Sequence, residues 1–227
     1  MKTQESATLL MQTSLFIPLF LLGCGLGSFA IAQDSKPLYE NNFESAELNS
    51  VPSDFLVLDG GFKVKEEGGN KFLELPGAPL DSFAVLFGAT EKAGVTVSAR
   101  AFGTSKGRRT PTFGIGVNGV GGYKLQVAPA KKQLELLKGD EVKASVPYTW
   151  ESGKWTELLL QTRKQPEGGV VVEGKAWTEG TPKPAAWTIV FEDKTEPSAG
   201  RASLIASPYS GTPIRFDNLQ VARVGKD

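Results

Sequence analysis

The 227-residue chain carries 25 basic and 25 acidic side chains and no histidine, so its formal net charge at neutral pH is zero. A chain without a basic excess lacks the electrostatic footprint of nucleic-acid binding. Without histidine it also has no Ser-His-Asp triad, no Cys-His pair and no histidine-ligated metal. The single cysteine, Cys24, excludes an intramolecular disulfide. The 26 glycines and 14 prolines favour many turns over long helices.

The first predicted element is an export signal. Residues 15–32 form an apolar run that follows a polar stretch and ends in Ala30-Ile31-Ala32, the small-x-small pattern that signal peptidases cut. We therefore expect cleavage after Ala32 and a mature chain, residues 33–227, that is secreted or periplasmic and no longer membrane-associated. Two alternatives stay open. Leu22-Gly23-Cys24 resembles a bacterial lipobox, which would make Cys24 a lipid anchor, and about 18 apolar residues is the lower limit for an uncleaved membrane anchor.

Short apolar alternations dominate the mature chain, and Gly, Pro, Asp and Asn separate them, which is typical of a β-sandwich or barrel. Hairpin turns are predicted at Asp59-Gly60-Gly61 and Lys138-Gly139-Asp140, whose residues tolerate positive φ. No window has a helical period. So many strands in one domain predict an all-β, two-sheet antiparallel β-sandwich. The predicted strands are residues 37–43, 54–58, 61–66, 71–75, 83–88, 94–102, 111–118, 122–128, 132–138, 141–146, 154–164, 169–177, 185–192, 200–206 and 214–224.

Alternation within these strands predicts one apolar face and one polar face, because successive side chains of a strand point to opposite sides. Gly114 and Gly116 would leave a floor without side chains there, as a backbone-lined ligand groove needs. Replacing Gly116 with a bulky residue should then block binding at little cost in stability. We interpret the polar face as a ligand-binding surface; the alternative is an ordinary solvated sheet face. Its predicted residues are Arg100, Lys124, Gln126, Gln161, Arg163, Glu173, Lys175 and Trp177.

Five short segments carry a family resemblance that spans nearly the whole mature chain. They are LYENNFE at 38–44, WESGKW at 150–155, GKAW at 174–177, AGR at 199–201 and IRFDNLQV at 214–221. Together they resemble concanavalin A-like jelly rolls of the laminin-G-like and bacterial sugar-associated kind. The resemblance implies a jelly roll with a concave sheet, in a superfamily of lectins, carbohydrate-binding modules and glycosidases. It also implies a glycan or another extracellular polymer as partner, although fold alone does not settle function.

Aromatic and basic side chains outside the polar strands are further contact candidates. Trp150 and Trp155 bracket a Ser-Gly turn, and Trp177 and Trp187 bracket a Pro-rich one. Each indole could stack on a sugar or close an end of the sandwich, with Trp177 the best placed for contact. Arg108 and Arg109 could hold an acidic saccharide or sulfate, or belong to a solvated hairpin tip.

Glycoside hydrolysis is the alternative function, and a structural module of the cell envelope is a third. Laminarinase-like jelly rolls carry Glu-x-Asp-x-x-Glu, but Phe191 stands in place of the leading Glu before Asp193 and Glu196. The remaining carboxylate pair is Glu157 and Glu173. If Gln161 pairs with Glu173, these carboxylates are roughly 13 Å apart, whereas glycosidases need about 5 to 9.5 Å. A two-residue shift would bring them to roughly 7 to 8 Å.

A structural calcium is predicted where the two chain ends meet. Phe43-Glu44 and Phe216-Asp217 share an aromatic-acidic form, and the terminal strands of jelly rolls usually run side by side. Glu44 and Asp217 could then share an ion, with backbone carbonyls and water completing its oxygen ligands. The alternative is that Asp217 and Asn218 bond to loop amides. Such an ion would stabilise the fold and take no part in chemistry.

Overall fold

The computed structural model describes residues 36–225, which form fifteen β-strands and one 3-10 turn at Pro129–Lys131. Each predicted strand overlaps an observed one, so the strand count was predicted correctly. The predicted export signal and Cys24 lie outside the described residues. Within residues 36–225, no helix has the length and apolarity needed to cross a membrane. The strands are β1 Tyr39–Asn41, β2 Leu56–Asp59, β3 Lys63–Glu67, β4 Asn70–Leu75, β5 Phe83–Glu91, β6 Val95–Phe102, β7 Thr112–Val117, β8 Tyr123–Ala128, β9 Gln133–Lys138, β10 Glu141–Pro147, β11 Trp155–Lys164, β12 Val170–Thr178, β13 Ile189–Asp193, β14 Gly200–Ser207 and β15 Ile214–Arg223.

The strands form two antiparallel sheets, as predicted. Sheet A has eight strands in the order β13-β12-β11-β6-β15-β4-β3, with β1 also paired to β15. Sheet B has seven strands in the order β10-β9-β8-β7-β14-β5-β2. The chain crosses repeatedly between the sheets, for example from β6 to β7 and from β14 to β15. Strands that are neighbours in sequence therefore often lie in different sheets.

The core lies between the sheets and consists of the apolar residues that alternate along each strand. In β6, Val95, Val97, Ala99 and Ala101 are buried, whereas the residues between them are partly exposed. Ile115 of β7 is fully buried in the same cluster. Burial of each large apolar side chain contributes about 1.5–3 kcal/mol, which makes this alternation the main determinant of which face turns inward.

A bulge interrupts β15 where it passes the centre of sheet A. Asp217 pairs with Arg100 and Gln220 with Ser98, so three steps along β15 match two along β6. The extra residue, Asn218, is exposed and has a φ of 52°. Because of the extra residue, Asp217 and Gln220 both point away from the core while Leu219 is buried.

Candidate binding face

The predicted polar face divides between the two sheets. Arg100 is on β6, Gln161 and Arg163 are on β11, and Glu173, Lys175 and Trp177 are on β12, all on the outer face of sheet A. Lys124 and Gln126 are on β8, which belongs to sheet B. The prediction of one continuous face was therefore wrong for these two residues, since alternation assigns a side of a strand but not a sheet.

The predicted glycine floor was also wrong. Gly114 and Gly116 lie on β7 in sheet B, away from the six residues on sheet A. A Cβ atom at Gly116 would lie 2.4 Å from the Ser203 Oγ, and one at Gly114 would lie 2.1 Å from the Leu125 carbonyl oxygen. The space above these glycines is already filled. A bulky residue at Gly116 should therefore destabilise the fold.

One row of side chains crosses the outer face of sheet A. Glu157 of β11 stands between Trp177 of β12 and Arg100 of β6, and Arg100 stands opposite Asp217 of β15. The row brings together an indole, two carboxylates and a guanidinium from four strands. Its members are far apart in sequence and adjacent in space.

Arg100 organises this row through its guanidinium. Its Nη2 donates to Asp217 Oδ2 at 2.6 Å and its Nη1 to Glu179 Oε1 at 2.6 Å. The guanidinium also lies 4.6 Å from the ring centroid of Trp155. Burial alone would lower the pKa of Arg100, but hydrogen bonds and charge attraction from Asp217 and Glu179 raise it above its ordinary value. The charged groups of Arg100 and Asp217 therefore already form an ion pair with each other.

Glu157 is different because its carboxylate accepts no hydrogen bond from any residue in the range 36–225. The residue is half-buried. Burial raises its pKa above the ordinary value of 4.5 and outweighs the opposing effect of Arg100, and the charges of Glu179 and Asp217 add to the rise. A half-buried carboxyl with a raised pKa and no partner is typical of functional sites.

Glu157 opens into a groove of about 690 Å³ on the outer face of sheet A. Besides Glu157, the groove is lined by β1 and the turn after it, by Ser98 of β6 and by the bulge of β15. Its lining is mostly polar and offers carboxylates, amides and hydroxyls. The lining residues are Glu40, Asn41, Asn42, Ser45, Ser98, Glu157, Asn218, Leu219 and Gln220.

The second candidate carboxylate, Glu173, is not available to act with Glu157. The register pairs Gln161 with Glu173 and Glu157 with Trp177, the arrangement predicted to hold the two carboxylates roughly 13 Å apart. Glu173 accepts from Gln161 Nε2 at 2.8 Å and contacts Arg163 Nη2 at 3.4 Å. It is 7% exposed. This pair therefore does not form a glycosidase site.

Lys175 is covered by the loop that connects β12 to β13. Its Nζ donates to the Pro184 carbonyl oxygen at 2.9 Å and lies 4.5 Å from the Trp187 ring centroid. Burial lowers the pKa of Lys175, and the nearby charge of Lys183 lowers it further, against the opposing charge of Glu173. Lys175 therefore holds the loop in place, and its ammonium group does not face solvent.

The tryptophans divide between packing and potential contact. Trp155 packs against Phe102 with a centroid distance of 5.5 Å, and Trp150 packs against Phe113 at 6.1 Å. Trp177 remains half-exposed next to Glu157. Trp177 does not line the groove itself, and Lys183 Nζ lies over its ring, 5.7 Å from the centroid.

The predicted calcium ligands have other partners. Glu44 Oε1 accepts from the Lys71 amide at 3.0 Å, while Asp217 binds Arg100 and accepts from Asn218 N at 2.7 Å. Residues 36–225 contain no cluster of three or more acidic, histidine or cysteine side chains suited to a metal. A calcium ion at Asp217 would have to compete with a guanidinium. The calcium site stays a prediction, and a fall in melting temperature with chelator would support it.

Most residues of the groove were not predicted from the sequence. Glu40, Asn41 and Asn42 belong to the LYENNFE segment, and Asn218 and Gln220 to the IRFDNLQV segment. In these two segments only Glu44 and Asp217 were assigned to a site, the predicted calcium ion. The sequence did contain a feature from which the groove could have been predicted. Polar residues occur together in both terminal strands, and these strands pair, with Glu40 opposite Gln220.

Sheet order, crossovers and core define a concanavalin A-like jelly-roll sandwich, and structural comparison supports this class. No family model matches the sequence, and no curated protein matches it. The carbohydrate-binding module CBM66 from Bacillus subtilis is similar in structure, with a TM-score of 0.53, 13% identity, and coverage of 74% of this chain and 95% of that one. A Bacillus subtilis protein with a galectin-like fold has a TM-score of 0.53 and 11% identity, covering 83% and 96%. A lichenase derived from a mouse hindgut metagenome has a TM-score of 0.50 and 11% identity, covering 82% and 97%.

Proposed function

We propose that the protein binds a glycan or another extracellular polymer in the groove on the outer face of sheet A. The observation that carries this proposal is Glu157, a half-buried carboxylate without a hydrogen-bond partner among the described residues, which opens into a polar groove and is paired with Trp177 of the neighbouring strand. CBM66 and the lichenase have names that refer to carbohydrate, and both share the fold. Their similarity supports the proposal at the level of ligand class.

The chemistry of the groove suits a polyhydroxylated ligand. Carboxylates such as Glu40 and Glu157 accept hydrogen bonds from sugar hydroxyls, whereas the amide of Gln220 can both donate and accept. The indole of Trp177, next to Glu157 in the row, would offer an apolar ring for the C–H side of a sugar that extends beyond the groove, on the side that Lys183 does not cover. A volume of about 690 Å³ lies within the range of about 300–1,000 Å³ typical of ligand sites.

Export to the cell envelope or beyond is part of the proposal, because a polymer ligand of this kind lies outside the cytoplasm. Mass analysis of the exported protein should find Gln33 as its first residue, in agreement with cleavage after Ala32. A diacylglyceryl group on Cys24 would replace the secreted form with an anchored one.

The test is binding to a panel of immobilised glycans and to polysaccharides by affinity electrophoresis. We expect Glu157→Gln and Trp177→Ala each to weaken binding about tenfold or more, since each removes a charge-assisted hydrogen bond or an aromatic contact. Lys124→Gln, on the outer face of sheet B, serves as the matched control and should leave binding unchanged.

Two outcomes would contradict the proposal. Equal loss of binding in Lys124→Gln would locate the ligand elsewhere, and unchanged binding in both groove variants would remove the groove from recognition. Turnover of a polysaccharide that disappears in Glu157→Gln would instead favour the glycosidase alternative. All variants should be compared by thermal melting, so that loss of folding is not mistaken for loss of binding.

A further inference from the structure

The groove on the outer face of sheet A is lined by two acidic side chains and by no basic one. The acidic residues are Glu40 of β1 and Glu157 of β11, and the other lining residues are asparagine, serine, glutamine and leucine. Within residues 36–225, neither carboxylate forms an ion pair or accepts a side-chain hydrogen bond. The groove therefore has an excess of negative charge in a chain whose formal net charge is zero.

Two neighbouring carboxylates on the same face of sheet A have cations of their own. Glu173 contacts Arg163 at 3.4 Å, and Asp217 accepts from Arg100 at 2.6 Å. These acids are satisfied within the protein. The two groove carboxylates are left for a group that comes from outside, and the carboxylate of Glu157 is not among the fully buried polar atoms of the described residues.

The surroundings of Glu157 do not cancel its negative charge. The basic groups that act on it are Arg100 and Lys183, and neither lines the groove. Arg100 already forms ion pairs with two carboxylates, and Lys183 Nζ lies 5.7 Å from the ring centroid of Trp177. Burial and the charges of those two carboxylates raise the pKa of Glu157 despite both cations. Because the surroundings contribute two charges of each sign, Glu157 remains the extra negative charge.

The two groove carboxylates lie toward opposite ends of the groove. Glu40 is paired with Gln220 and Gln220 with Ser98, whereas Glu157 belongs to the next row, opposite Arg100. Strands β15 and β6 lie between β1 and β11, which separates the outer two strands by roughly 14 Å. A ligand that fills the groove therefore meets a carboxylate at each end and neutral hydrogen-bonding groups between them.

We propose that the groove selects a polymer of amino sugars, with one ammonium group of the ligand beside Glu157 and another beside Glu40. An ammonium group only donates hydrogen bonds, so it suits carboxylates that only accept them. Opposite charge makes such bonds stronger than those of a neutral hydroxyl group. Ring hydroxyls between the two ammonium groups can contact Ser98 and Gln220. This inference rests on the proposed glycan binding and names the class of glycan that the groove takes.

The test compares three hexasaccharides with the same β-1,4-linked backbone, those of glucose, N-acetylglucosamine and glucosamine. They differ only at the 2-position, which carries a hydroxyl, an acetamido or an ammonium group. Affinities are measured by titration calorimetry with the full chain, in slightly acidic buffer that keeps the amino groups charged. We expect the glucosamine hexamer to bind about tenfold or more tightly than the other two. Polygalacturonate, an acidic polymer, should not bind, because it would place like charges together.

Two variants test the carboxylates, and a third serves as the matched control. Glu157→Gln and Glu40→Gln keep the size of the side chain, and each should reduce the preference for glucosamine over glucose about tenfold. Neither change leaves a partner group unsatisfied, so thermal melting should stay cooperative. Glu192→Gln removes the same charge from an exposed residue of β13 outside the groove and should leave the preference unchanged.

Three results would overturn the proposal. Equal affinity for the three hexasaccharides would exclude recognition of the ammonium group, although equal weakening of all three in Glu157→Gln would still locate glycan binding in the groove. A preference for glucosamine that persists in both groove variants, or falls as much in Glu192→Gln, would attribute it to general charge attraction. Absence of binding by the glucosamine hexamer would exclude amino-sugar polymers, whereas binding of other glycans is decided separately by the glycan panel.

Discussion

The two outer faces of the sandwich look alike in sequence and differ in how their polar groups are used. On sheet B, Lys124 pairs with Asp140, and Gln126 donates to Glu135, which also binds Lys131. On sheet A, Glu157 has no such partner within the described residues, and a groove opens beside it. Polar side chains on a strand thus do not by themselves distinguish the two faces. The informative feature is a polar group that the fold leaves unsatisfied.

The largest predicted effect tests which face of β7 points inward. Ile115 is fully buried, so Ile115→Asp should cost several kcal/mol and unfold the domain, because an unpaired carboxylate would be placed in the core. Ile205 of β14 lies on the outer face of sheet B and is partly exposed. Ile205→Asp is the matched control and should leave a cooperative melting transition. The reverse outcome would mean that the two faces are assigned backwards.

The next-largest effect is expected at the ion pair between Arg100 and Asp217 on sheet A. Asp217 is 1% exposed, so Arg100→Met should cost about 3–5 kcal/mol by leaving that carboxylate buried without its partner. Arg163→Met removes an arginine from the same face, but its side chain is 41% exposed and its contact with Glu173 is long. It should cost less than about 1 kcal/mol. Denaturant titration measures both, and equal costs would show that the row around Arg100 has no special role.

A smaller effect is expected at the glycine pair of sheet B. Gly116→Val should destabilise by about 1–3 kcal/mol, because its Cβ would meet the Ser203 side chain and the Tyr123 carbonyl oxygen. A Cβ at Gly121 would meet nothing within 4 Å, so Gly121→Val is a suitable control and should be nearly neutral. A neutral Gly116→Val would restore the open floor that the sequence suggested.

The smallest effect is expected at Glu157, and its pH dependence has the opposite sign to that of Asp193. Because burial raises the pKa of Glu157, its contribution to stability is present below about pH 4.5 and is lost as pH rises through the folded-state value. Glu157→Gln should therefore stabilise the protein by less than about 1 kcal/mol at neutral pH, and this gain should vanish in acid.

Asp193 provides the contrast. Burial alone would raise the pKa of Asp193, but hydrogen bonds from Lys138, Thr195 and Tyr123 hold this pKa well below its ordinary value. Its contribution is therefore present at neutral pH and is lost as pH falls. Melting temperatures of Asp193→Asn and Glu157→Gln across pH 3–7 should diverge toward neutrality. Parallel curves would contradict both assignments.

The alternation of apolar and polar residues predicted the strands well, because within each strand it follows which side chains are buried. The alternation of Val95, Val97, Ala99 and Ala101 is enough to place β6 and to say which side faces the core. The alternation within a strand does not show to which of the two sheets that strand belongs. Lys124 and Gln126 alternate as Ser98 and Arg100 do, yet β8 and β6 lie in opposite sheets because the chain crosses between β6 and β7.

The groove and the covered lysine depend on contacts that local pattern does not encode. Glu40 and Gln220 meet because the first and last strands pair. That pairing was predicted in general terms, but these two residues were not assigned to a site. Lys175 was predicted as a contact residue from its position on β12. It is covered by a loop whose path depends on the Pro184 carbonyl and on Trp187.

The bulge in β15 forms one wall of the groove, and a single codon can add or remove it. Deleting Asn218 would restore a regular strand in which Asp217 still meets Arg100, Leu219 still enters the core and Gln220 still meets Ser98. The packing would survive, while the bend beside Glu157 would be lost. Insertion or deletion of one residue could therefore add or remove this bend, with no need to redesign the sandwich.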